Sequence, residues 1–290
     1  MALEQAATVE TEPTHRFVEV DGLKLHYLDW GGDPKKRTFL LLHGGGAHAH
    51  WWDGVAPLLV PYGSTLALDF RGHGESQWPR PAHYGPPAYV RDVVGLVEEL
   101  GTKVVLVGHS MGGAVAQWVA VDHPELLEAL IVVDAPHGPP PIFRRLMWRW
   151  RRRARGGKRP ELKSSDEIVR KFRLNPPDTY MSKEDLERLA LHGAHQLPSG
   201  NWVFRFDPET RAWRRDGVRS TKPKLKKLSL PVLVLRGDRS TLVSRAHARR
   251  MHRKIRGAIY KEVTHAYHHV PLDNPVDTAK EIAAFVERTD

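Results

Sequence analysis

Up to about residue 136, short runs of apolar and β-branched residues alternate with stretches in which apolar positions recur every three or four residues. That pattern predicts parallel strands joined by helices covering both faces of one sheet. Residues 16–20 and 23–30, joined at Asp21-Gly22, read as an opening hairpin. Residues 38–42 form a continuous apolar run that stops at His43-Gly44-Gly45-Gly46, as expected of a strand buried on both faces and ended by a tight loop. Residues 65–70 repeat the arrangement and end in Arg71-Gly72-His73-Gly74. Between 87 and 100, Tyr89, Val93, Leu96, Val97 and Leu100 fall on one helical stripe. Residues 103–108 and 129–134 read as further strands, and 111–121 as a helix of small residues between them.

The alternation stops at 137. From there to about 227 the sequence has no strong β pattern; it opens with prolines and glycines and contains one clear helix over 182–192. The alternation resumes with a strand over 231–237, a helix from about Ser244, a strand over 258–263, and a last helix over 274–287. That last helix starts at Asn274-Pro275, a good cap followed by proline at the first helical position. The expected organisation is a flexible segment over 1–14, a core over 15–136 and 228–290, and an inserted, mainly helical cap over 137–227.

Charge sharpens that division. The net charge is +10, but residues 137–227 hold 24 Lys and Arg against 10 Asp and Glu, a net of +14, and the remainder carries −4. The chain has no cysteine, which removes disulfides, thiolate catalysis and thiolate-held metals. No run approaches the roughly 18 apolar residues of a spanning helix, and the N-terminus lacks a basic, then apolar, leader, so the expectation is a cytoplasmic protein.

The chemistry centres on Gly108-His109-Ser110-Met111-Gly112-Gly113, a G-x-S-x-G pattern between a buried strand and a helix. A serine on so sharp a turn needs small neighbours, because strand and helix pass within van der Waals contact. The turn lifts the hydroxyl to a helix N-terminus, where unpaired N–H groups favour developing negative charge. The N–H groups of Gly45, after the third strand, and of Met111 are the expected oxyanion donors. A base is expected between the last strand and last helix, where His265, His268 and His269 compete.

With these motifs the chain resembles the α/β-hydrolase superfamily of esterases, epoxide hydrolases and dehalogenases over about 15–135 and 228–290. The matching residues are His43-Gly44, Asp69-Phe70-Arg71-Gly72-His73-Gly74-Glu75-Ser76, the Ser110 motif, and His268 seven residues before Pro275. The resemblance implies a mostly parallel, twisted eight-stranded sheet flanked by helices, with the cap entering after strand 6. It also implies His268 as the base. Family members usually carry an acid in a stretch resembling R-G-x-x-S-D; here Arg236-Gly237-Asp238-Arg239-Ser240 is followed by Thr241. A threonine cannot stabilise an imidazolium. Two replacements stand open. Asp134 ends the strand before the cap, a position some dehalogenases use, and Asp238 lies three residues from the usual site. Asp134 is preferred, since an acid at a strand's C-terminal end is aimed at the site.

Serine rather than aspartate at the turn argues for acyl chemistry on a small-molecule ester or lactone, without metal or cofactor, over epoxide opening or dehalogenation. Hydrolysis of a carbon–carbon bond and perhydrolysis use the same residues. Trp148, Trp150, Trp202, Trp213, Phe143, Phe172, Phe204 and Phe206 in the cap either roof an apolar pocket or fix cap to core. The basic run over 144–155 is a solvated face, or else holds an anionic membrane or acidic substrate. No nucleic-acid-reading motif accompanies it. The competing class is a non-catalytic receptor or scaffold on the same fold.

Overall fold

The computed structural model describes residues 12–137, 160–212 and 223–289. Ten strands are present among them: β1 (Thr14–Val20), β2 (Leu23–Asp29), β3 (Thr38–Leu42), β4 (Ser64–Leu68), β5 (Val104–His109), β6 (Leu127–Val133), β7 (Ala194–Gln196), β8 (Trp202–Phe204), β9 (Val232–Gly237) and β10 (Ile259–Val263). Eight form one sheet in the order β1-β2-β4-β3-β5-β6-β9-β10. The β1–β2 and β2–β4 pairs are antiparallel, and all other neighbours are parallel.

Every residue of β3 and of β5 is buried, which requires cover on both faces. The pleat sends alternate side chains to opposite sides. Leu40, Leu42, Leu66, Leu68, Leu106 and Val132 pack on one face against helices α1 (Pro86–Leu100), α2 (Met111–Asp122) and α5 (Arg245–His252). Phe39, Leu41, Val105, Val107, Ile131 and Val133 pack on the other against α6 (Pro275–Val286), through Ile282 and Phe285. The predicted stripe of α1 is buried at Tyr89, Val93, Leu96 and Val97. Gly101, with φ +64°, ends that helix in the left-handed conformation glycine accepts without strain.

Between β6 and β9 the described residues form α3 (Ser165–Lys171) and α4 (Lys183–His192), capped by Ser164 and Ser182, and the antiparallel pair β7–β8. The pair adds short β structure to a segment expected to be mainly helical; three-residue strands are too short to display a period of two. Trp148, Trp150, Trp213, Phe143 and the basic run over 144–155 lie outside the described residues. No helix among the described residues is long and apolar enough to cross a membrane.

The parallel strands set the site. Their C-terminal ends lead into His43, Asp69, Ser110, Asp134 and Asp238, so these side chains gather along one edge of the sheet.

Candidate active site

Ser110 lies between β5 and α2 with φ +53° and ψ −111°, outside the regions a side-chain-bearing residue prefers. The flanking glycines follow from crowding: a Cβ on Gly112 would stand 2.5 Å from the carbonyl oxygen of Leu42, and one on Gly113 would stand 2.4 Å from Ala135 Cβ. Ser110 Oγ is 3.0 Å from His268 Nε2, and His268 Nδ1 is 2.8 Å from Asp134 Oδ1. One neutral tautomer satisfies both contacts: Nδ1–H donates to the carboxylate and Nε2 accepts from the serine hydroxyl.

Asp134 is buried, has φ +41°, and accepts from the Ser240 hydroxyl at 2.7 Å and from the Gly237 N–H at 3.0 Å. Asp238 instead accepts from the Ala266 N–H at 3.1 Å, tying the end of β9 to the loop that carries His268. Thr241 is exposed. Of the two candidate acids, the structure therefore sets Asp134 against His268. Burial raises the Asp134 carboxyl, a shift opposed by the Ser240 and Gly237 hydrogen bonds and by the Arg236 charge. Burial also lowers the His268 imidazole, with neighbouring His269 adding to the effect, so the ring rests neutral and able to accept a proton.

The other two histidines of that loop go elsewhere. His265 is exposed, and His269 donates from Nε2 to the Pro176 carbonyl at 2.8 Å. His109, next to the serine, donates from Nε2 to the His268 carbonyl at 2.8 Å and pins the loop from below. His109, His268 and His269 bring ring nitrogens within 4.8 Å of one another, but both His268 nitrogens are committed to Ser110 and Asp134.

Gly45 approaches Met111 closely: a Cβ there would lie 3.5 Å from Met111 Sδ. Neither Gly45 nor Met111 uses its N–H in a hydrogen bond among the described residues, which leaves two donors beside Ser110. The loop carrying Gly45 is held by residues to which sequence reasoning assigns no role. Asp69, at the end of β4, accepts from the Ala49 N–H at 2.6 Å, the Glu75 N–H at 2.9 Å and His26 Nδ1 at 2.7 Å. A Cβ on Gly74 would overlap the Asp69 carboxylate. The only sequence signal for this hub was its place at a strand end inside the 69–76 motif.

Strand order, the turn at Ser110 and the gathered residues at the sheet edge define an α/β hydrolase, and the chain belongs to the alpha/beta hydrolase family, whose model matches residues 39–281. It is 31% identical over 235 residues to the esterase Rv0045c of Mycobacterium tuberculosis, a match covering 78% of this chain and 74% of that one. To epoxide hydrolase 4 of Mus musculus it is 36% identical over 136 residues, 45% of this chain but 36% of the relative. The solved structure of E-2-(acetamidomethylene)succinate hydrolase shares the fold with a TM-score of 0.79 at 23% identity, covering 95% of this chain and 99% of that one.

Proposed function

We propose that this hydrolase cleaves carboxylic esters or lactones through an acyl-enzyme on Ser110. The observation that carries the reading is the continuous chain from Ser110 Oγ through His268 to Asp134, at 3.0 and 2.8 Å. Ser110 Oγ attacks the ester carbonyl carbon while His268 Nε2 takes the hydroxyl proton. The carbonyl oxygen becomes an oxyanion and is bound by the N–H groups of Gly45 and Met111. Collapse breaks the bond to the alcohol, which leaves with the proton from His268. Water then repeats the sequence on the acyl-enzyme and returns the acid and free Ser110. Asp134 keeps the imidazole in the required tautomer and stabilises its transient positive charge.

An oxygen nucleophile on serine makes an ester that water reopens at the acyl carbon, whereas opening an epoxide or displacing a halide in this fold calls for a carboxylate nucleophile. Residue 110 is serine, which favours the esterase among the relatives over the epoxide hydrolase. Residues 137–227 act as the cap that shapes the acyl pocket. Phe172 packs with Leu174 and Leu189 against Ala47 and Trp51 beside the Gly45 loop, an apolar surface that favours apolar acyl groups.

The test is a panel of p-nitrophenyl and alkyl esters varying in acyl and alcohol size, assayed with wild type and Ser110→Ala in parallel, together with labelling by a fluorophosphonate probe. Hydrolysis and labelling that both vanish in Ser110→Ala support the reading. Ester hydrolysis that survives the substitution overturns it.

A further inference from the structure

We infer that His73 is a positioning residue that couples seating of the cap to the orientation of the oxyanion-binding loop. The inference rests on the assignment of Gly45 and Met111 as oxyanion donors.

Two buried histidines clamp the Gly44–Gly46 loop from one side, with ring centroids 5.1 Å apart. His43 donates from Nδ1 to the Gly44 carbonyl at 2.6 Å and accepts at Nε2 from the Phe70 N–H at 3.1 Å. His73 donates from Nδ1 to the Arg71 carbonyl at 3.1 Å and accepts at Nε2 from the Gly46 N–H at 3.1 Å. Each ring is thus fixed as a single neutral tautomer, and burial, which lowers His73 to about 3, keeps its acceptor nitrogen free of a proton. The Gly44 carbonyl and the Gly45 N–H belong to one planar, trans peptide unit and point in opposite directions. Holding the carbonyl therefore aims the N–H. His43 holds that unit directly, and His73 holds the next N–H along, at Gly46, whose φ of +77° only glycine adopts readily.

The main chain around His73 is also where the cap is rooted. His73 pairs with Phe206 in an isolated antiparallel bridge, and the Asp207 N–H donates to the Gly72 carbonyl at 2.8 Å. The Asp207 carboxylate accepts from Tyr84 Oη at 2.7 Å and from Arg80 at 2.6 Å, and Arg205 pairs with Glu75 at 3.0 Å. Packing is tight here: a Cβ on Gly72 would stand 2.5 Å from the Tyr84 ring and 2.8 Å from Thr210 Cγ2. Displacing the cap root at 205–210 shifts Gly72 and His73 with it. A shift of His73 releases the Gly46 N–H and with it the aim of Gly45. A cap seated over substrate and a formed oxyanion site are then one event.

The experiment compares wild type, Ser110→Ala, His73→Phe, His73→Gln, Asp207→Ala and the His73→Phe/Asp207→Ala double variant on the best ester of the panel, with circular dichroism checking the fold. Phenylalanine keeps a ring but offers no acceptor; glutamine offers Oε1 near the position of Nε2. The expected result is a fall in kcat of roughly tenfold or more for His73→Phe with KM within about twofold, since the donor lost acts on the transition state. His73→Gln recovers most of that loss. Asp207→Ala lowers kcat in the same direction, and the double variant is no slower than His73→Phe, because both act through one contact. A His73→Phe enzyme as fast as wild type, a loss confined to KM, or multiplicative losses in the double variant would overturn the coupling. Should His73→Phe fail to fold, an Asp207→Ala kcat equal to wild type overturns it instead. Ser110→Ala separates the two failures: if it hydrolyses the ester like wild type, the underlying esterase reading falls, and if it is inert while His73→Phe is unaffected, the coupling alone falls.

Discussion

The hydroxyl of Ser240 donates to Asp134 Oδ1 over 2.7 Å, and the same oxygen accepts from His268 Nδ1 at 2.8 Å. In the stretch after β9, Thr241 stands where the family pattern has an acid, and the adjacent Ser240 hydroxyl steadies a carboxylate that ends the neighbouring strand.

Asp134→Asn is accordingly expected to lower kcat by a thousandfold or more, on the order of the loss seen when a buried triad acid is made neutral. Asp238→Asn, which removes charge from a residue that braces the Ala266 N–H, is expected to stay within about tenfold of wild type. Steady-state kinetics on one ester decides, and comparable losses from the two substitutions would contradict the assignment.

In the proposed mechanism His268 takes a proton only when neutral, and burial holds that ring below the usual histidine value of 6.5. As pH rises, the proton leaves at this lowered value and the base becomes available. The acid limb of kcat/KM is therefore expected below pH 6.5, with a plateau through neutrality. A profile from pH 4 to 8 checks this, and a limb centred at 7 or above would argue against a buried His268 as the base.

Stability should fall over the same range. His43, His48, His73, His109, His268 and His269 are all buried with lowered values, about 3 for His48 and His73. An unfolded chain takes up these protons below about 6.5 while the folded one does not, so their contribution is complete above that pH and lost as pH falls toward the folded values. Each such group changes stability by up to about 1.4 kcal/mol per pH unit in that window. Asp92, raised to about 6, and Asp134, also raised, act in the opposite sense and offset only part. Urea midpoints measured at pH 7, 6 and 5 should decline stepwise; a constant midpoint would show that the histidines are not buried in neutral form.

Arg71 and Asp92 form a buried pair, with Arg71 Nε 2.8 Å from Asp92 Oδ2, that ties α1 to the 69–76 loop. Asp92→Ala leaves a guanidinium buried without its partner, at a cost of about 3–5 kcal/mol. Chemical denaturation should register that loss; a change under 1 kcal/mol would mean that water replaces the carboxylate.

Much of this protein was determined by local sequence. Apolar runs marked the parallel strands because a strand buried on both faces has no polar alternation to disguise it, as in β3 and β5. Helix starts were legible at Ser182, Ser244 and Asn274, since each cap accepts from an N–H three residues on, within its own segment. The turn at Ser110 was legible for the same reason: its glycines answer to crowding within a few residues. Tertiary structure decided what depends on direction across strands. Asp134 and Asp238 end adjacent strands, and the sequence prefers Asp134 while leaving Asp238 open; in the structure Asp134 turns toward His268, 134 residues away, because its φ of +41° and the Ser240 hydroxyl aim it there. The clamp of His43 and His73 on the Gly44–Gly46 loop was invisible, for it joins the ends of β3 and β4, and hydrogen bonds between strand ends leave no periodicity to read.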